Sequence, residues 1–177
     1  MARCCTLQPY RVDLGLAFGN TRGVSIRYSL CPLSKKRLTM LEEDPEMALE
    51  LPDQDVPGLL ALGTDGFELA GILLFAGTTK AEKDVVRDAV FAHSGQILGD
   101  ESDGIRVHPP ARVKEIARVL AALPDDTVAM HYESARRALA GKLPTDGIEH
   151  FTELFEDLRI FYAAASDERR SVLTLMT

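Results

Sequence analysis

The clearest alternation of apolar and polar positions is Val24, Ile26, Tyr28 and Leu30 interleaved with Ser25, Arg27 and Ser29, which predicts a half-buried strand. Ser34 then stands where an N-cap belongs, ahead of a short helix reaching Glu43 with Leu38 and Leu41 turned inward. Asp44 and Pro45 restart a second short helix as N-cap and first helical residue, and Pro52 and Pro57 end that region in a loop. From Gly63 to Ala76 the positions of Phe67, Leu69, Ile72, Leu73 and Phe75 predict a mostly buried helix closed by Gly77. Gly66 and Gly71 within it allow close packing at some cost in helix propensity. Ala81 to His93 is a further helix, with Val85, Val86, Ala89 and Val90 on one face and Ser94-Gly95 as its stop.

The second half follows the same logic. Gly99 to Gly104 forms an acidic turn, and Ile105 to His108 is extended because the following Pro109 disfavours helix at the residue before it. Pro110 opens a helix in which Val113, Ile116, Ala117 and Leu120 recur at helical spacing. Pro124 ends it, residues 125–141 hold one or two shorter helices, and Leu143 to Gly147 is a turn. The helix from Ile148 to Ala165 lines up Phe151, Leu154, Phe155, Leu158, Phe161 and Tyr162, a stripe dense in aromatic residues, as core. Val172 to Met176 is apolar on both faces, as a strand central in its sheet would be. A strand near each end with helices between them pairs only if the middle folds back over the sheet. The expected class is therefore α+β, one helix-rich domain with a small sheet containing the strand near Val24 and the C-terminal strand.

Composition changes this picture in two places. The 177 residues carry a net charge of -7, yet residues 1–23 carry three Arg and one Asp, so the opposite sign is concentrated beyond the breaker cluster Gly19 to Gly23. The first segment also alternates Val12, Leu14, Leu16 and Phe18, so an extra edge strand competes with disorder, the favoured expectation, and an upstream translation artefact is a third reading. The acidic balance argues against attachment to nucleic acid or anionic lipid, which reward clustered Lys and Arg. The longest apolar run, Leu69 to Ala76, falls far short of the roughly 20 residues that cross a bilayer, and no signal-peptide core precedes it, so a cytoplasmic location is expected. Cys4, Cys5 and Cys31 form no disulfide framework and no Cys-x-x-Cys.

Several blocks, in order, resemble the YfbM-like family, bacterial proteins assigned to domain of unknown function 1877. They are Val24 to Leu30 with the following Pro-Leu-Ser-Lys-Lys-Arg-Leu, Asp44 to Leu51, and Leu62 to Gly77, which lacks the family's usual Lys-x-Trp. Ser94 to Asp100 has Ser94 in place of the first Gly of a family Gly-Gly-x-x-Ile-Gly segment; Ile105 to Ala117, the Phe155 to Ala165 pattern and Val172-Leu173 complete the match. The resemblance covers residues 24–177 and implies a compact bacterial cytosolic α+β domain without an established reaction. Some small acidic bacterial domains act as immunity partners of toxins, an analogy of class only.

Candidate chemistry is sparse. The four His lie far apart, and the pair His150 and Glu153, three apart on one helix, reads more simply as a solvated face than as half a metal site. The acids of the Gly99 to Gly104 turn do not fall at calcium-loop positions. Ser94 beside His93, or Cys31 with a distant His, lacks any nucleophile motif, and Gly63-Thr64-Asp65-Gly66 carries an acid where a phosphate would sit. No metal or cofactor is expected. His108 is the most suggestive single residue, because Asp100, Glu101 or Asp103 of the acidic turn could raise its pKa; its alternative is a ring that fixes the loop.

The strongest surface signal is Glu42, Glu43, Asp44, Glu46, Glu50, Asp53 and Asp55, seven acids uninterrupted by Lys or Arg. They read either as a solvated acidic face or as a patch that steers a basic partner. Two functions follow. One is a non-catalytic binding domain, an immunity-type or regulatory partner of a basic protein such as a toxin, acting through these acids. The other is a small enzyme with a pocket between the Gly63 to Gly77 helix and the His108 loop. Self-association through an apolar surface is a third, blander role.

Overall fold

The structure is a computed structural model that describes residues 26–53, 56–100, 104–139 and 142–177. Val24 and the N-terminal segment 1–23 lie outside the described residues. Strand β1 (Tyr28–Leu33) is followed by helix α1 (Lys35–Glu43), a 3-10 helix (Pro45–Asp53) and β2 (Leu60–Gly63). Then come α2 (Gly66–Ala76), α3 (Lys80–Phe91), β3 (Gln96–Ile97), β4 (Ile105–His108), α4 (Pro110–Ala122), α5 (Thr127–Ala138), α6 (Ile148–Asp167) and β5 (Ser171–Met176). The five strands form one antiparallel sheet in the order β2-β1-β5-β4-β3, so the fold is the expected α+β arrangement.

The two end strands pair as the topology argument requires, antiparallel from Tyr28 opposite Met176 to Leu33 opposite Ser171. The first strand is displaced from its expected position, starting at Tyr28 and running on to Leu33. The reason lies in its surroundings: Cys31 is wholly buried and Leu33 nearly so, because α1 and the 3-10 helix cover the face that simple alternation leaves to solvent. The other displaced boundary is at α2, which starts at Gly66, while Leu60–Gly63 pairs with β1 as the sheet's edge. Its apolar run is too short to distinguish strand from helix by period, and the strand stops where Gly63 takes φ +57°.

Strand parity builds two cores. Tyr28, Leu30 and Val172 point to the side covered by α2 through α6, where the aromatic stripe Phe151, Phe155, Phe161 and Tyr162 is buried as predicted. Cys31, Leu33, Leu173 and Leu175, the odd-numbered set, point to the other side with Ile105 and Val107, under Leu41, Ala48 and Leu51. By the same parity His108 faces the helical layer. Local signals set the helices in place: Ser34 Oγ accepts from Arg37 N at 3.3 Å, Thr79 and Glu82 form a reciprocal capping box at the start of α3, and Pro110 occupies the first turn of α4. Gly71 lets α2 approach α5, for a Cβ there would lie 2.9 Å from Leu139 Cδ1.

Candidate functional site

Two groups of charged residues bear on the candidate sites, and they lie on opposite sides of the sheet. On the smaller core's side, the last turn of α1 and the 3-10 helix present Glu42, Glu43, Asp44, Glu46 and Glu50, all exposed. The three-residue repeat of a 3-10 helix puts Ala48 and Leu51 inward, which leaves Glu46, Met47, Leu49 and Glu50 outward. Among the described residues none of these five acids pairs with a Lys or Arg. Asp53 closes the 3-10 helix, with its side chain outside the description, and Asp55 lies outside the described residues.

The second place is buried under the helical layer. Asp88 sits on the inward face of α3 among Val85, Val86, Ala89 and Val90, with 1% of its surface exposed. Its carboxylate accepts from Ser94 N at 2.7 Å, from Ser94 Oγ at 2.5 Å and from Arg112 Nε at 2.8 Å, and the Arg112 Nη2 donates to the same oxygen. Burial pushes the carboxyl upward, but the Ser94 and Arg112 hydrogen bonds and the nearby His108 outweigh it and hold the pKa below the ordinary value. Ser94 thus ties the loop after α3 to Asp88, a role more specific than the helix stop the sequence suggests.

His108 is wholly buried, and its Nε2 lies 3.2 Å from the Asp88 carbonyl oxygen. A carbonyl only accepts, so Nε2 carries the proton and the neutral ring leaves Nδ1 bare, without a partner among the described residues. Burial drives its pKa down, with Asp88 opposing, so the ring stays neutral. Tyr162 Oη donates to Ala89 O at 3.0 Å from the opposite helix. Asp100 is exposed, and Glu101 and Asp103 are outside the described residues, so the partner the structure gives His108 is Asp88.

Other sequence candidates have definite places. Cys31 is buried in the smaller core. His150 is exposed and its Nε2 lies 2.9 Å from an Asp65 carboxylate oxygen, linking the starts of α6 and α2, while Glu153 is exposed on the same helix. Two of the surface grooves lie away from His108. One of about 540 Å³ lies between the start of β2 and the C-terminal half of α6, and one of about 320 Å³ lies between α1 and the 3-10 helix. Among the described residues no three His, Cys, Asp or Glu converge as metal ligands, and no helix is long and apolar enough to cross a membrane. The Asp88, Arg112 and His108 assembly escapes sequence reading because Asp88 lies 20 residues from His108 and 24 from Arg112. A signal was nonetheless present in the lone acid among the inward Val and Ala of α3.

A five-stranded antiparallel sheet with most of its helices on one side and α1 with the 3-10 helix on the other defines a helix-rich α+β domain. Residues 25–175 match the family described as Domain of unknown function (DUF1877), and the chain belongs to that family. No curated protein and no solved structure matches it.

Proposed function

We propose that this domain is a non-catalytic protein-binding module of the bacterial cytoplasm, an immunity-type or regulatory partner of a protein with a basic surface. One observation carries the reading: Glu42, Glu43, Asp44, Glu46 and Glu50 are exposed together over nine residues, and no described cation neutralises them. Their field extends about 8 Å at physiological ionic strength, far enough to steer and orient a basic partner during encounter. The acids contribute little to folding, because an exposed unpaired carboxylate makes no contact that the unfolded chain lacks.

The test is affinity capture from a bacterial lysate on the immobilised full chain, beside a Glu43→Lys, Asp44→Lys, Glu46→Lys variant. The expected result is one basic protein retained at low salt, released as salt rises, and absent from the variant. Retention by the variant with unchanged salt dependence refutes the reading.

A further inference from the structure

Helix α1 carries its charges against its own dipole. Lys35, Lys36 and Arg37 occupy the first turn, where the helix is electropositive; Glu42 and Glu43 occupy the last, where it is electronegative, followed by Asp44 as C-cap. No Lys or Arg of the helix stands three or four residues before either Glu, so no intrahelical pair offsets this arrangement. Helix stability therefore does not account for the pattern. Between the two charged ends the surface is apolar: Met40, Met47 and Leu49 are 43%, 40% and 42% exposed, three of the eight large apolar residues so exposed among the described residues. Lys36, Met40 and Glu43 fall at i, i+4 and i+7 on one stripe. Ser34, Lys36, Arg37 and Met40, with Met47 across from them, line the groove of about 320 Å³, and Leu41 and Leu51 also line it, so that its cationic end is inside the groove and Glu43 follows one turn beyond Met40.

We infer that this groove is the docking site for an amphipathic helix of a partner protein, one with acids in its first turn, a Leu- or Met-type anchor in its middle and Lys or Arg in its last turn. Such a helix has its charges placed as its own dipole favours, and lying parallel to α1 it meets Lys36 with its acidic start and Glu43 and Glu46 with its basic end. Its apolar side chains enter between Met40 and Met47, whose unbranched side chains adapt to varied shapes. This deepens the binding reading above and rests on it, by specifying which side chains a basic partner inserts and in which direction.

The experiment titrates the full chain, carrying methyl-13C methionine, with two lactam-stapled helical peptides of equal composition. One has the acidic start and basic end, and the other has those charges exchanged. The expected result is saturable shifts of the Met40 and Met47 methyls with Met130 and Met176 unmoved, and affinity at least tenfold higher for the first peptide. A Lys36→Glu, Glu43→Lys double variant inverts the preference, an outcome that a difference in peptide helicity alone does not produce. Equal affinity for the two peptides, no shift at Met40 and Met47, or shifts at those methyls on dilution of the protein alone each overturn the inference. Equal binding that weakens on Glu43→Lys overturns the directional groove and leaves the acidic surface standing. The capture experiment decides that surface separately.

Discussion

The domain holds two charged assemblies that obey opposite rules. Around Asp88 the carboxylate is removed from water and answered: the partly exposed Arg112 and Ser94 saturate it, and His108 stays neutral beneath it. Around Glu42 to Glu50 the acids are exposed and unanswered, and α1 even opposes their sign. The comparison separates charges that hold the fold from charges that the fold merely displays. A buried pair broken on one side leaves an uncompensated charge, whereas an exposed acid can be exchanged at almost no cost to folding. Displayed charges that stability does not need are the ones available to a partner.

The largest expected effect tests the buried side. Asp88→Ala removes the acceptor of Arg112 and Ser94, and it lowers unfolding free energy by about 3 kcal/mol in urea denaturation. A loss below about 1 kcal/mol would place Asp88 with the displayed charges instead.

Acid comes next. The His108 pKa is depressed in the fold, so below its ordinary value of 6.5 the unfolded chain takes up the proton first. The contribution of the neutral ring is complete above pH 6.5 and is lost as pH falls beneath it. Asp88, also depressed, adds stability that is present above 3.8 and erodes as pH drops through its lower folded value. Denaturation midpoints measured from pH 7 to 5 fall for the parent chain, and the profile is flatter in a His108→Leu variant. An unchanged slope in that variant would assign the acid sensitivity elsewhere.

A smaller loss is expected for Tyr162→Phe, which deletes the hydroxyl bonded to Ala89 O beside the same cluster. A neutral hydrogen bond of this kind is worth about 1 kcal/mol, measurable as a lower thermal midpoint. The smallest effect has the opposite sign. Glu42→Lys with Glu43→Lys aligns the last turn of α1 with its dipole and raises stability by about 0.5 kcal/mol, while capture of a basic partner is lost. A fall in stability on this exchange would show that the two acids serve the fold after all.

Much of the helical structure was legible from spacing alone. The Ser34 cap, the Pro110 start and the Phe151 to Tyr162 stripe stand where the pattern puts them, because each depends on neighbours within a turn or two. β2 and β3 were not legible, since four and two residues are too few to display a period and both are defined by what they pair with. For the candidate surface, the run of acids was plain in the sequence. The groove beside it was not, because Met40 and Met47 come from different elements and meet only when α1 and the 3-10 helix pack on the sheet. His108 was singled out for its position before two prolines and beside an acidic turn, but its contact with Asp88 depends on a strand and a helix separated by the loop between them.

By itself the sequence determined the helices, their inward faces, the α+β class and the sign of the surface, all consequences of local periodicity and composition. Tertiary structure decided that β1 is covered on both faces, that Asp88 meets Arg112 and His108, and that Met40 and Met47 line one groove. These depend on contacts between segments distant along the chain. Such contacts form only when burial in the assembled sheet and helices offsets the entropy of closing the loops between them.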